Sequence, residues 1–123
     1  MEEGHGTIYY KNGKKKYSGE FKDFKRDGHG IAYDNEGRKH YEGSWKEDVR
    51  DGHGLLFEME WEMDYFRREK CVKSIYKIYE GSWKNDKQEG VGKLYDPEGK
   101  VCYEGIFENG MKNDFGIQYN NNE

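Results

Sequence analysis

His5, His29 and His53 each stand between two glycines, and imidazole is both a common zinc ligand and the side chain that moves protons near neutral pH. The three recur every 24 residues, at one position of a repeated unit. Equivalent residues of adjacent hairpins lie two strands apart, about 9–10 Å, whereas zinc holds its ligand nitrogens at about 2 Å. The set therefore reads as a structural repeat residue beside the glycines. Carboxylates are abundant, but Glu42, Glu80 and Glu104 also share one repeat position, and no acid–base pair stands out. Ser44 and Ser82 are repeat residues as well, with no Gly-x-Ser-x-Gly elbow and no phosphate-cradling glycine loop ending in Lys-Ser/Thr. Cys71 and Cys102 fall outside the repeat and form no zinc pair; they read as reduced thiols. No catalytic residue, metal ligand, cofactor or small-molecule substrate is assigned. Lys22, Lys46 and Lys84 stand at one position and could touch anionic lipid head groups, although Glu108 takes that place in the last unit and the net charge is −4, which favours solvated lysines.

The elements that position these residues are set by a repeat. Tyr-x-Gly-x-(Trp/Phe) occurs at Tyr17–Phe21, Tyr41–Trp45, Tyr79–Trp83 and Tyr103–Phe107, each with a glycine thirteen positions after its tyrosine. The spacings are 24, 38 and 24 residues, so one unit carries 14 extra residues. Such internal periodicity fixes architecture before any single residue is interpreted. Leu, Ile, Val and Phe make up only 19 of 123 residues and 37% are charged, a balance that usually marks a chain unable to bury a core. Eleven Tyr, six Phe and three Trp reverse that conclusion, because many of them hold fixed repeat positions where each ring can bury about 150–250 Å².

Alternation places Tyr41, Gly43 and Trp45 on one face of a strand and Glu42, Ser44 and Lys46 on the other. The polar stretch Lys46 to Asp51 is expected to turn the chain, like Asn85-Asp86 and Asn109-Gly110. Gly52-His-Gly54, in common with Gly4-His-Gly6, Gly28-His-Gly30 and Gly90-Val-Gly92, then opens a second strand whose bare backbone lets a neighbouring ring lie against it. Asp34-Asn-Glu-Gly37 and Asp96-Pro-Glu-Gly99 are second turns, leading to the next tyrosine.

This pattern resembles the MORN (membrane occupation and recognition nexus) repeat family: Tyr-x-Gly-x-Trp, then a Gly-x-Gly pair and an Asp/Asn-Gly turn. Asp114 departs from it by replacing the first glycine of the last pair. The fold expected is all-β, an elongated single-layer antiparallel sheet of stacked MORN hairpins with one extended hairpin insertion. One domain spans 1–123, with a partial repeat at 1–16, repeats starting at 17, 41, 79 and 103, and the insertion within 58–78. The repeat aromatic face comprises Tyr17, Phe21, Tyr41, Trp45, Tyr79, Trp83, Tyr103 and Phe107. The resemblance implies a non-enzymatic protein-interaction scaffold, a structural subunit of a larger cytoskeletal or ciliary assembly such as an axonemal radial spoke. The alternative is a peripheral membrane module that binds anionic phospholipids or phosphoinositides.

Inside the insertion, Glu58-Met-Glu-Trp-Glu-Met-Asp-Tyr65 alternates acid with apolar, a strand pattern, while Arg67, Arg68, Lys70, Lys73 and Lys77 follow it. A lengthened hairpin would set opposite charges across from each other and project about 20–25 Å. The rival is a helix with Met59, Met63 and Phe66 on one face. Met59, Trp61, Met63 and Tyr65, with Phe66, form a candidate partner-binding stripe; the other reading of the stripe is extra core beneath a folded-back finger.

No run approaches the roughly 18 apolar residues of a membrane helix, and the acidic Met1-Glu-Glu start is unlike a signal peptide, so an intracellular setting is expected, in cytoplasm, cytoskeleton or a ciliary axoneme. A pI near 5.6 with interleaved charges argues against nucleic acid. The first Gly-x-Gly strand, within Met1 to Tyr10, lacks a preceding Tyr-x-Gly-x-Trp strand, so pairing end to end with another MORN-repeat protein is expected there.

Overall fold

A computed structural model describes residues 4–120, apart from the side chain of Asp114. Nine strands, and no helix, are found among them: β1 (Gly4–Tyr9), β2 (Lys15–Lys22), β3 (Lys25–Tyr33), β4 (Lys39–Lys46), β5 (Val49–Asp64), β6 (Glu69–Lys84), β7 (Lys87–Tyr95), β8 (Val101–Glu108) and β9 (Met111–Gln118). They form one antiparallel sheet in chain order, so every connection is a hairpin. β1 and β9 are its edge strands; the expectation for Met1 to Glu3 lies outside the described residues.

Two turn types alternate along the two long sides of this ribbon. On one side the turns have two central residues with positive φ, Asp23-Phe24, Glu47-Asp48, Asn85-Asp86 and Asn109-Gly110, the geometry that matches strand twist in a tight hairpin. The turn expected over Lys46 to Asp51 is thus only Glu47-Asp48, and β5 resumes at Val49, three residues before Gly52. Gly52 does not open the strand; its φ of 105° marks an irregular register between Gly43 and Trp45. On the other side Asp34 caps its turn through Oδ1, accepting from the amides of Glu36 and Arg38, both at 2.9 Å. Asp96 does the same for Glu98 at 3.0 Å and Lys100 at 2.9 Å.

The core is a row of rings. Tyr17, Tyr41 and Tyr79 are wholly buried, and Tyr103, Trp45, Trp83 and Phe107 are at most 6% exposed. Each tyrosine ring lies across the bare backbone of the second strand: a Cβ on Gly30, Gly54 or Gly116 would sit 2.1–2.2 Å from a tyrosine Oη. The hydroxyls donate to main-chain carbonyls three residues on, Tyr17 to Glu20 and Tyr41 to Ser44 at 2.9 Å, and among the described residues no buried side-chain nitrogen or oxygen lacks a partner.

The insertion is two strands joined by a turn at residues 65–68, which removes the helix alternative. β5 and β6 are 16 residues each, and β4 pairs no further along β5 than Leu56 while β7 pairs no further along β6 than Tyr79. Residues 57–64 and 69–77 therefore form a two-stranded finger about 25 Å long. Opposite charges do not meet across the pair. Glu58 faces Tyr76, Glu60 faces Ser74, Glu62 faces Cys71 and Asp64 faces Glu69, while Lys77 faces Phe57 and Lys70 faces Met63. The cause is two bulges in β6, at Ile78 and Lys73, each of which shifts the pairing by one residue and moves lysines out of line with the acids. The Ile78 bulge is a feature of the repeat, since Lys16, His40 and Cys102 are skipped at the same point before their tyrosines.

Candidate functional site

Two aromatic surfaces, one closed and one open, offer themselves. The closed one is the repeat face, where alternate residues of each Tyr-x-Gly-x-(Trp/Phe) strand point the same way. Its eight rings join edge to face in one unbroken zigzag, from Phe21 through Tyr17, Trp45, Tyr41, Trp83, Tyr79 and Phe107 to Tyr103. Centroid separations of 5.0–5.5 Å and near-perpendicular planes suit the ring quadrupoles, at about 0.5–1.5 kcal/mol per pair beyond burial. Burial pushes the phenols of Tyr17 and Tyr79 up to about 12. Phe21 is partly buried at one end of the ladder.

Arginines lock this ladder, and they do not show in the Tyr/Gly pattern. The Arg26 guanidinium lies 4.4 Å from the Trp45 ring centroid and donates Nε to Asp48 Oδ1 at 2.8 Å and Nη2 to the Asp48 carbonyl at 3.0 Å. Arg50 repeats the arrangement on Trp83 and Asp86 at 4.4, 2.9 and 3.0 Å. Each clasp ties one hairpin to the turn of the next. Partial burial of the Asp48 and Asp86 carboxyls acts to raise them, and the arginine contacts outweigh it, leaving both below the usual carboxylate range. In the next hairpin Gln88 and Gly110 hold the equivalent places, and no guanidinium clasp forms; the main-chain bond that Asp48 and Asp86 donate to the Arg26 and Arg50 carbonyls persists as Gly110 N–H to the Gln88 carbonyl at 3.0 Å. The signal was available in the sequence as an arginine nine positions after Tyr17 and Tyr41, with Asp48 and Asp86 in the tight turn of the next hairpin.

The open surface is the finger. Leu56 packs on the core, so alternate residues Glu58, Glu60 and Glu62 continue the core face outward as an acidic row. Phe57, Met59, Trp61 and Met63 point to the opposite face, with Ile75 across from Met59 and Val72 across from Trp61. The stripe is thus not core folded back over the tyrosines. Trp61 is 50% exposed and Met63 44%, and at the tip Tyr65 is 85% exposed and Phe66 fully so. Asp64 Oδ1 accepts from the amides of Phe66 at 3.1 Å and Arg67 at 3.2 Å, which fixes that tip with Arg68 in the left-handed region at φ 57°. At the finger's base, Lys77 Nζ donates to Glu80 Oε1 at 2.8 Å and lies 4.2 Å from the Tyr95 ring centroid, while the Tyr95 hydroxyl donates to the same oxygen at 2.9 Å. The hydrogen bonds from Lys77 and Tyr95 hold the Glu80 carboxyl below its usual range.

The lysines at the tight-turn side are set among acids. Lys22 and Lys46 border a hollow with Lys25, but Asp23, Asp27, Glu47 and Asp51 border it too. Lys84 lies beside Lys87 and Glu89. His5, His29 and His53 are exposed strand residues opposite Glu20, Ser44 and Ser82. Among the described residues no group of three His, Cys, Asp or Glu is placed to hold a metal ion, and no helix is long and apolar enough to cross a membrane.

The MORN repeat model matches residues 1–15, 17–38, 41–57, 79–101 and 103–121, which leaves out the finger. The chain belongs to the MORN repeat family. Modules of this family are generally non-catalytic and serve interaction or membrane association. No curated protein matches this MORN chain.

Proposed function

We infer that this MORN-repeat chain is a non-enzymatic protein-interaction scaffold, a structural subunit of a larger cytoskeletal or ciliary assembly of the axonemal, radial-spoke-like kind. Its partners are other protein subunits of that assembly, another MORN-repeat protein among them, and its setting is intracellular. The observation that carries this reading is the finger: the 14-residue insertion into the repeat is a projecting hairpin whose Trp61, Met63, Tyr65 and Phe66 stand in solvent away from the core. Exposed clustered aromatics and methionines are what protein interfaces bury. A lipid module is favoured less, because carboxylates alternate with Lys22 and Lys46 on their side of the ribbon and a net charge of −4 opposes approach to anionic head groups.

The test sets the two against each other. Purified chain is mixed with vesicles containing anionic lipid at physiological salt, and in parallel the native assembly is cross-linked and read by mass spectrometry. Finger cross-links to other protein subunits, with no vesicle binding, are expected. Vesicle binding abolished by replacing Lys22, Lys46 and Lys84 with alanine, without protein cross-links, would overturn the scaffold reading.

A further inference from the structure

The finger's two long edges differ, and the difference selects an occupant. Neither β4 nor β7 reaches past the finger's base, so among the described residues 57–64 of β5 and 69–77 of β6 pair only with each other. Each strand thus turns one row of main-chain groups outward, a ready template for another strand. β6 is blunted: it carries both bulges, at Lys73 and Ile78, and Lys70, Lys73 and Lys77 along its length. β5 is straight, with one-to-one pairing positions and no extra residue from Leu56 to Asp64. Natural sheets protect edges with bulges and lysines, and β5 has neither in this stretch.

A second copy of the chain is a poor occupant of that edge. Two-fold pairing of β5 with β5 would set the row Glu58, Glu60, Glu62 against itself, and like charges directly opposite are destabilising. The same row favours a strand of opposite charge. The other face of β5 offers Met59, Trp61 and Met63 to apolar side chains at alternate positions of the incoming strand.

From the straight edge, the acidic row and the apolar stripe together we propose that β5 residues 57–64 accept an extended segment of a partner protein in which basic and apolar residues alternate. The segment adds as a further strand, its main chain bonded to the β5 edge, its basic side chains beside Glu58, Glu60 and Glu62, and its apolar ones beside Met59, Trp61 and Met63. This rests on the scaffold reading above and gives it a partner chemistry.

The experiment uses the full chain and three synthetic peptides: one alternating lysine with valine, one alternating glutamate with valine, and one with the lysines and valines of the first in separate blocks. Binding is followed by titration and by amide hydrogen exchange. The lysine–valine peptide is expected to bind at least tenfold more tightly than the other two and to slow exchange in residues 57–64. The double variant Glu60→Lys, Glu62→Lys should reverse the preference between the first two peptides. Should that variant disturb the finger, N-methylation of alternate peptide nitrogens is the second arm, and at least a tenfold loss of binding to the wild-type chain is expected. Equal binding of the three peptides, protection of 69–77 in place of 57–64, or indifference to N-methylation would overturn the proposal. Those results would leave the scaffold reading standing wherever finger cross-links to other subunits persist, whereas vesicle binding without such cross-links would end both.

Discussion

The β3–β4 hairpin and the β5–β6 finger are built from the same antiparallel pairing, yet one buries its aromatic rings and the other leaves them in solvent. In β3–β4, Tyr41 lies on Gly54 of the neighbouring strand, Trp45 stands edge-on to it at 5.2 Å, and Arg26 covers Trp45. The finger has no glycine, so no ring can lie flat across a neighbouring backbone, and among the described residues its strands have no further strand on either side. A single-layer sheet buries aromatics when glycine lets the ring replace a second layer; alternation of apolar residues alone produces a strand without a core.

The largest effect expected from this contrast is at the ring–glycine contacts. Gly54→Ala puts a methyl where Tyr41 Oη and Cε1 already lie, 2.2 and 2.4 Å from the new Cβ, and the ring is locked between neighbours. A loss of about 3 kcal/mol in urea unfolding is expected. A loss below about 0.5 kcal/mol, as for an ordinary surface change, would mean that the ring has room to move.

Alkaline pH attacks the same region. The folded-state values of Tyr17 and Tyr79 are raised to about 12 from the ordinary 10, chiefly by burial, so the folded chain holds these protons more tightly than the unfolded one. Their contribution is fully present below pH 10 and falls as pH rises from 10 to 12. Melting temperature and tyrosinate absorbance followed together should show the drop in that window; constant stability through pH 12 would contradict it.

Trp61→Ala tests the other side of the comparison. It should cost about 2 kcal/mol in partner affinity while leaving the melting temperature within a few degrees of the wild type, since Trp61 is half exposed and outside the ring ladder. A large fall in melting temperature with affinity intact would make the finger stripe structural.

The smallest effect concerns the clasps. Arg50→Ala removes the guanidinium over Trp83 and the bonds to the half-exposed Asp86, for about 1 kcal/mol of stability. The comparison sharpens with Gln88→Ala, where the clasp is naturally absent and a smaller change is expected. Equal losses at both sites would show that the clasps add nothing.

Much of this was legible in the chain because the repeat writes it four times. The 24-residue phase and the recurrence of Tyr, Gly and Trp/Phe determined the strands, their antiparallel order, the ring-on-glycine contact and the eight-ring aromatic face, since a ring of that size at a fixed strand position has one neighbour to lie on; that Phe21, at the end of the ladder, is only partly buried was decided by the stack. Acid–apolar alternation over Glu58 to Tyr65 pointed to strand but left a helix with Met59, Met63 and Phe66 on one face open, and the pairing of β5 with β6 decided between them. What only the tertiary structure decided was parity. Skipping Ile78 and Lys73 in the pairing takes Lys77 away from Glu58 and sets it opposite Phe57, and no alternation in the sequence announces a bulge. Because strand side chains alternate with period two, a one-residue shift reassigns every later partner and face. The straight acidic edge of β5 and the inter-repeat arginine clasps depend on where neighbouring strands stop and which turn lies beside which strand, and these are settled when the hairpins stack.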